Sequence, residues 1–162
     1  YDDLMDAGRA LDLRLFGGRA LSSLRLEKGY GSFQKDFRPD YTAAESGLDR
    51  FVDFTKPDFV GRTATLAERA AGPKRRFVVM EVAALDAEVI GYESIIRDGA
   101  AVGYVTSGAF GHCVGKSLAA GYVPTALARE GARFEIDILG EMRAATVRLE
   151  PLYDPQGLKL RS

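Results

Sequence analysis

A handful of side chains in this sequence have the chemical reach to hold a ligand, and their spacing decides what each could do. Glu45 closes the stretch Thr42-Ala-Ala-Glu45. Its carboxylate can accept adjacent ring donors in a charge-assisted pair, or it can reach back to the backbone amide of Thr42 as a capping box does. Arg25 and Glu27 stand two residues apart, off a common helix face. That predicts separate partners for the two charges, with Arg25 facing either a ligand cavity or a core edge. Tyr30, just past Gly29, can stack on a flat ring or close a core with its polar tip wet. Lys74-Arg75-Arg76 reads as a solvated strand entry that could also meet an acidic ligand tail.

Other combinations carry less. His112 and Cys113 are the only histidine and the only cysteine. As neighbours in an extended segment they point to opposite faces, with no third group to orient them, so they read as loop residues. They also leave no internal disulfide and no Cys/His metal cage, so no metal ligand and no catalytic residue is assigned in this chain. Gly115-Lys116-Ser117 ends like a phosphate loop, but the first glycine of that motif would fall on Phe110, and a β-rich setting offers no following helix.

Twenty-two basic and 23 acidic residues give a net charge of -1, too weak a field to gather nucleic acid or an anionic membrane. No apolar run approaches the roughly 18 residues that span a bilayer, and no basic-then-apolar leader opens the chain, so a soluble protein is expected. The sequence starts at Tyr1 and not at Met, which predicts further sequence on the amino-terminal side.

These residues need elements to position them. The chain has 162 residues, 46% hydrophobic and 28% charged, enough for one domain or two small ones. Leu4, Ala7, Ala10 and Leu11 share one stripe of a helix from Asp2 to Leu11, broken at Gly17-Gly18. Ala20, Leu21 and Leu24 recur at helical spacing in a second helix from Arg19 that stops at Gly29. Thr42 predicts a short helical turn, Phe51 to Phe54 a brief strand, and Asp58 the cap of a helix through about Ala70. Residues 1 to about 70 are thus expected to be mostly helical. Then Phe77 to Val82 forms a β-branched run, and Ser94 to Val105 a hairpin on Asp98-Gly99. Strands are predicted at Ser117 to Tyr122, Arg133 to Leu139 and Ala144 to Leu149, with turns at Glu130-Gly131 and Gly140-Glu141. The expectation is an α+β chain, a mostly helical part followed from about residue 74 by a small antiparallel β-barrel or sandwich.

Four stretches carry a resemblance: Leu24-Arg-Leu-Glu-Lys-Gly-Tyr30, Thr42-Ala-Ala-Glu-Ser-Gly-Leu48, Lys56-Pro-Asp-Phe-Val-Gly-Arg62, and Val105-Thr-Ser-Gly-Ala-Phe110 leading to Gly115-Lys116. In this order they resemble the second half of the glycine-cleavage T-protein (aminomethyltransferase) family. The Glu27-Lys28-Gly29-Tyr30 variant and the tail Glu150-Pro-Leu-Tyr-Asp-Pro-Gln-Gly157 are similar to the sarcosine and dimethylglycine dehydrogenase branch. The resemblance implies that residues 1–73 end a folate-binding domain and residues 74–162 form the carboxyl-terminal barrel. It further implies a complete protein that oxidises an N-methyl amine with FAD and passes the one-carbon unit to tetrahydrofolate. The flavin and the catalytic acid would lie upstream in the same polypeptide, in the cytoplasm or the mitochondrial matrix. Arg25, Tyr30, Glu45 and Arg76 are then the folate-binding candidates. One departure counts against direct folate contact from the second helix: Leu21 stands where these proteins commonly carry an arginine, four residues before the arginine that matches Arg25. The alternatives are a piece of a stand-alone aminomethyltransferase, or a non-catalytic module built on the folate scaffold.

Overall fold

A computed structural model describes residues 1–161. Six strands, β1 (Arg75–Val82), β2 (Ser94–Arg97), β3 (Ala100–Gly111), β4 (Lys116–Pro124), β5 (Arg133–Ile138) and β6 (Glu141–Arg148), form a closed antiparallel barrel. Around the barrel they run β1-β4-β3-β2-β5-β6, and β1 pairs with β6 to complete the circle. Closure removes the exposed sheet edge that an open sheet of this size would present. Two hairpins turn on consecutive left-handed residues, Asp98 (φ 52°) with Gly99 (φ 77°) and Leu139 (φ 55°) with Gly140 (φ 86°). That is the turn whose twist matches the flanking strands. The second turn sits one residue earlier than the Gly140-Glu141 the sequence suggests. Alternate side chains fill the barrel, including Val78, Met80, Ile95, Val105, Ile136 and Val147.

Before the barrel come α1 (Asp2–Gly8), continued by a 3-10 turn over Arg9–Leu11, then α2 (Gly18–Glu27) and α3 (Arg62–Ala71). Between α2 and α3 the chain runs in turns, so the first 70 residues are less helical than their composition predicts. Phe51 to Phe54 is no strand: a 3-10 turn covers Asp49–Phe51, and the apolar pair finds no sheet to join. α3 starts at Arg62 and not at Asp58, because Gly61 at φ 87° breaks the helical path just before it. Thr42 and Glu45 make both reciprocal capping bonds, at 3.2 and 3.1 Å, yet they cap a single turn and no helix follows.

The second helix carries the architecture. Leu26, fully buried, packs on Val79, Ala109, Leu118 and Ala120 on the outer face of the barrel. Ser23 donates to the carbonyl of Phe110 (2.7 Å), and the buried Glu27 carboxylate accepts the amides of Cys113 (2.6 Å) and Val114 (3.2 Å) in the β3–β4 turn. Gly111 permits that approach, since a Cβ there would stand 2.9 Å from Cγ of Glu27. Lys28 pairs with Asp154 at 3.1 Å and ties down the tail. Leu21 and Leu24, the residues whose spacing defines the helix in the sequence, face away from the barrel.

Asp36 is the polar centre of this arrangement and is 0% exposed. One carboxylate oxygen accepts Arg25 Nη1 (3.0 Å) and the Ser32 amide (2.7 Å), while the other accepts the hydroxyls of Thr106 and Ser107, the latter at 2.7 Å. Neighbouring strand residues normally point to opposite faces. Here the register of β3 shifts between Val105 and Ser107, so Val105 enters the barrel while Thr106 and Ser107 both turn outward to Asp36. The carbonyl of Asp36 accepts the Tyr122 hydroxyl (3.0 Å), which also bonds Ser46 (2.8 Å), and Tyr41 stacks on the Tyr122 ring at 3.5 Å.

Two outcomes follow from these bonds. Removing one partner of a buried pair leaves the other charge uncompensated, so Asp36→Ala is expected to cost about 3–5 kcal/mol in a urea titration. The double variant Asp36→Ala/Arg25→Met should recover part of that loss, and a double variant no more stable than Asp36→Ala alone would contradict the pairing. The second concerns alkaline pH. Burial pushes the Tyr122 phenol up to about 12 and, foremost among its causes, also raises Tyr41. The fold therefore holds the Tyr122 proton more tightly than the unfolded chain does, at about 10. That contribution is intact below about pH 10 and is lost as pH rises toward about 12. Tyr122→Phe is expected to lose about 1–2 kcal/mol at neutral pH and to show a shallower alkaline decline; equal slopes for both proteins would refute the assignment.

Candidate functional site

The structure brings two of the four sequence candidates into one polar seam between the 31–46 segment and the outside of the barrel. Arg25 lies in it through Asp36, its side chain 13% exposed. Glu45 lies in it through Arg75, whose Nε donates to its carboxylate at 3.0 Å, and through Ser46 beside it on Tyr122. The seam continues outward. Tyr41 donates to the hydroxyl of Tyr104 (2.7 Å), Arg38 reaches the same hydroxyl (3.1 Å), and the Arg75 guanidinium lies 4.9 Å over the Tyr41 ring. Tyr30 joins only through its carbonyl, which accepts Arg25 Nη1 at 3.1 Å, and its ring is half exposed. Arg76 is exposed on β1. Among the described residues the side chains of Tyr30 and Arg76 make no hydrogen bond or ion pair.

Strand alternation separates Arg75 from Arg76. Phe77 and Val79 pack on the outer face of β1, and Arg75 shares their parity, which delivers it to Glu45. Arg76 shares the parity of Val78 and Met80, the inward residues, and sits at the barrel rim. That alternation was available in the sequence. Asp36 left no such signal, because it stands in an aperiodic polar stretch and its partners come from 11 and about 70 residues away.

The chemistry this seam supports is positioning. Glu45 has both oxygens engaged, by the Thr42 amide and by Arg75. Among the described residues Arg25 commits only Nη1 to hydrogen bonds, which leaves Nε and Nη2 available. Cys113 sits exposed in the β3–β4 turn, where hydrogen bonding to Glu27 raises its thiol above the ordinary value and keeps it protonated at neutral pH. Gly115 (φ 67°) turns the chain straight into β4, so the phosphate-loop ending has no helix to aim at an anion. Among the described residues no group of three or more His, Cys, Asp or Glu side chains is placed to hold a metal, and no helix is long and apolar enough to cross a membrane. An open groove of about 1160 Å³ lies between the start of α2 and the 84–90 loop, lined among others by Arg19, Ser22, Lys35, Glu88, Phe110 and His112. None of the four candidates lines it.

Comparison with known proteins agrees with this architecture. The glycine cleavage T-protein C-terminal barrel domain matches residues 75–154, and the GCVT N-terminal domain matches residues 1–56. The chain is 39% identical over 153 residues to the mitochondrial dimethylglycine dehydrogenase of Homo sapiens, covering 94% of this chain and 18% of that protein. It is 33% identical over 169 residues to the mitochondrial sarcosine dehydrogenase of Mus musculus, covering 99% of this chain and again 18% of the relative. The crystal structure of glycine cleavage system aminomethyltransferase T from Bartonella henselae superposes with a TM-score of 0.78 at 29% identity, over 93% of this chain and 45% of that one. The chain therefore spans about a fifth of the length of these dehydrogenases. Two domains of one family cover most of its residues in the expected order, and the chain belongs to the glycine cleavage T-protein family.

Proposed function

We propose that this chain is the end of the folate-binding domain (residues 1–73) and the barrel (residues 74–162) of an FAD-dependent dehydrogenase acting on a sarcosine- or dimethylglycine-like N-methyl amine. The observation that carries the reading is the 39% identity to the dimethylglycine dehydrogenase over 94% of the chain, against 35% over 91% to the aminomethyltransferase of Prochlorococcus marinus. In the complete protein the flavin would oxidise the amine and tetrahydrofolate would accept the one-carbon unit. Other domains of the same polypeptide would hold the flavin and the amine. A mitochondrial matrix location is favoured for a eukaryotic source by the mitochondrial relatives, and the cytoplasm otherwise.

This chain contributes a wall. Arg25 offers its uncommitted Nε and Nη2, donors suited to a carboxylate or a ring carbonyl, and the exposed side chains of Tyr30 and Arg76 make no hydrogen bond or ion pair among the described residues. We assign these three to folate contact and Glu45 to holding the Thr42 turn and Arg75 in place. A second reading, a piece of a stand-alone aminomethyltransferase, is supported by the TM-score of 0.78. The sequence preceding Tyr1 separates the two, since a glycine-rich dinucleotide fingerprint between strand and helix selects the dehydrogenase.

The test is tetrahydrofolate titration of the complete protein alongside thermal unfolding. Arg76→Ala should weaken folate binding about fivefold, roughly 1 kcal/mol, with unfolding unchanged. Thr42→Ala should cost about 1 kcal/mol of stability as a lost cap. Glu45→Gln, which from the capping box alone should change stability little, is expected to cost about 1–2 kcal/mol because it also breaks the Arg75 pair. Its folate affinity should stay the same. Unaltered affinity in both Tyr30→Ala and Arg76→Ala would remove those residues from the site, and a loss confined to Glu45→Gln would put Glu45 there instead.

A further inference from the structure

An arginine beside a carboxylate frequently meets it through two parallel bonds, its planar fork on both oxygens. Arg25 and Asp36 do not pair in that way. Asp36 presents one oxygen to Nη1 at 3.0 Å and keeps the other for the hydroxyls of Thr106 and Ser107. The carbonyl of Tyr30 accepts Nη1 as well, at 3.1 Å, so both hydrogens of that nitrogen are taken. The N–H bonds that remain are one on Nε and two on Nη2, and the Nε bond and one Nη2 bond run parallel along one edge, the side-on fork of an arginine. Among the described residues the buried polar atoms without a partner belong to Glu27, Arg38, Ser117 and Arg143. Nε and Nη2 of Arg25 are not among them, so the free edge reaches the surface although the side chain is only 13% exposed.

The orientation of that edge is set from behind. Four donors from separate stretches of chain, Arg25, the Ser32 amide, Thr106 and Ser107, engage the two oxygens of Asp36 and leave the carboxylate no freedom to turn. Two acceptors on Nη1 then fix the plane of the guanidinium. A rigid pair of parallel donors matches a group with two parallel acceptors, which a carboxylate has. A ring carbonyl has one acceptor and would leave an N–H desolvated and unpaired.

We infer that Asp36 is a positioning residue for the ligand: it holds Arg25 by Nη1 alone, so that Nε and Nη2 stand as a side-on fork for a carboxylate. This rests on the assignment of Arg25 to ligand contact and narrows that contact to one chemical class. Two molecules of the proposed reaction carry such a group, tetrahydrofolate on its glutamate end and the N-methyl amino acid itself.

The experiment compares, in the complete protein, ligands that differ by the carboxylate. Tetrahydrofolate is titrated beside tetrahydropteroate, which lacks the glutamate, and kcat/KM for sarcosine is set beside that for N-methylethylamine. Arg25→Lys keeps a cation for Asp36 but has no fork. It should cut the preference for the carboxylate-bearing member of one pair about tenfold, the worth of a charge-assisted bond, and move the carboxylate-free member less than about twofold. Asp36→Asn should lower the same preference. Ser107→Ala, which frees one oxygen of Asp36 and spares the ion pair, should lower it in part and serves if Asp36→Asn does not fold. The pair that responds names the source of the carboxylate. Equal weakening of both members, or of neither, would overturn the inference, because an arginine with a merely structural role does not tell them apart. A preference lost in Arg25→Lys but intact in Ser107→Ala and in Asp36→Asn would refute the positioning role. A wild-type protein that binds no tetrahydrofolate, yet loses its preference for sarcosine in Arg25→Lys, would count against the folate reading and support the fork.

Discussion

A carboxylate with no exposure to solvent must be matched where it lies, and the position of Asp36 dictates how the turns of residues 31–46 and the helix before them meet the barrel. Its oxygens hold Arg25 from α2, the Ser32 amide from the intervening turn, and Thr106 and Ser107 from β3. Three separate stretches of chain therefore converge on one charge. Such a pair adds little net stability over apolar packing of equal volume, but leaving either member alone is costly, and that asymmetry specifies geometry. The β3 irregularity belongs to the same constraint, because without the register shift one of the two hydroxyls would point into the barrel.

The motifs that mark the family turn out to be the places where the chain is fastened. Within the Leu24-to-Tyr30 landmark, Arg25, Glu27 and Lys28 point different ways and reach Asp36, the β3–β4 turn and Asp154 respectively. The Val105-to-Phe110 landmark supplies Thr106 and Ser107 to Asp36 and the carbonyl of Phe110 to Ser23. Thr42 and Glu45 close their own turn and then hold Arg75 at the first residue of β1. In the 56-to-62 landmark, Arg62 donates back to the carbonyl of Lys56. Motif residues here fix the relative placement of α2, the turns and the barrel.

The barrel was legible because its signals are local. β-branched runs, Asp98-Gly99 and the turn glycines are read within a few residues, and the hairpins follow from backbone sterics alone. The helical half was less so. Leu21 and Leu24 correctly indicate a helix, but the face they mark is the outer one, while the inner face is Ser23, Leu26 and Glu27, two of them polar and held by bonds across more than 80 residues. Phe51 to Phe54 has strand composition without a sheet edge to pair with, since the barrel is closed. Glu45 was legible as a cap from its spacing to Thr42; its pair with Arg75 was not, because it spans 30 residues. The side chains of Tyr30 and Arg76, named from chemistry, make no hydrogen bond or ion pair among the described residues, and this makes them the cleanest probes of the ligand reading.

The central claim is that α2 and the barrel are one cooperative body joined through Asp36, Glu27 and Leu26. Native-state hydrogen exchange at increasing denaturant measures this directly. The account predicts that the amides of Leu24, Leu26 and Glu27 open with the same free energy as those of β3 and β4, in a single global transition, with only the residues before Gly17 exchanging early. If α2 exchanges through a separate opening at lower free energy while the strands stay protected, the helix is an appendage and the account is wrong.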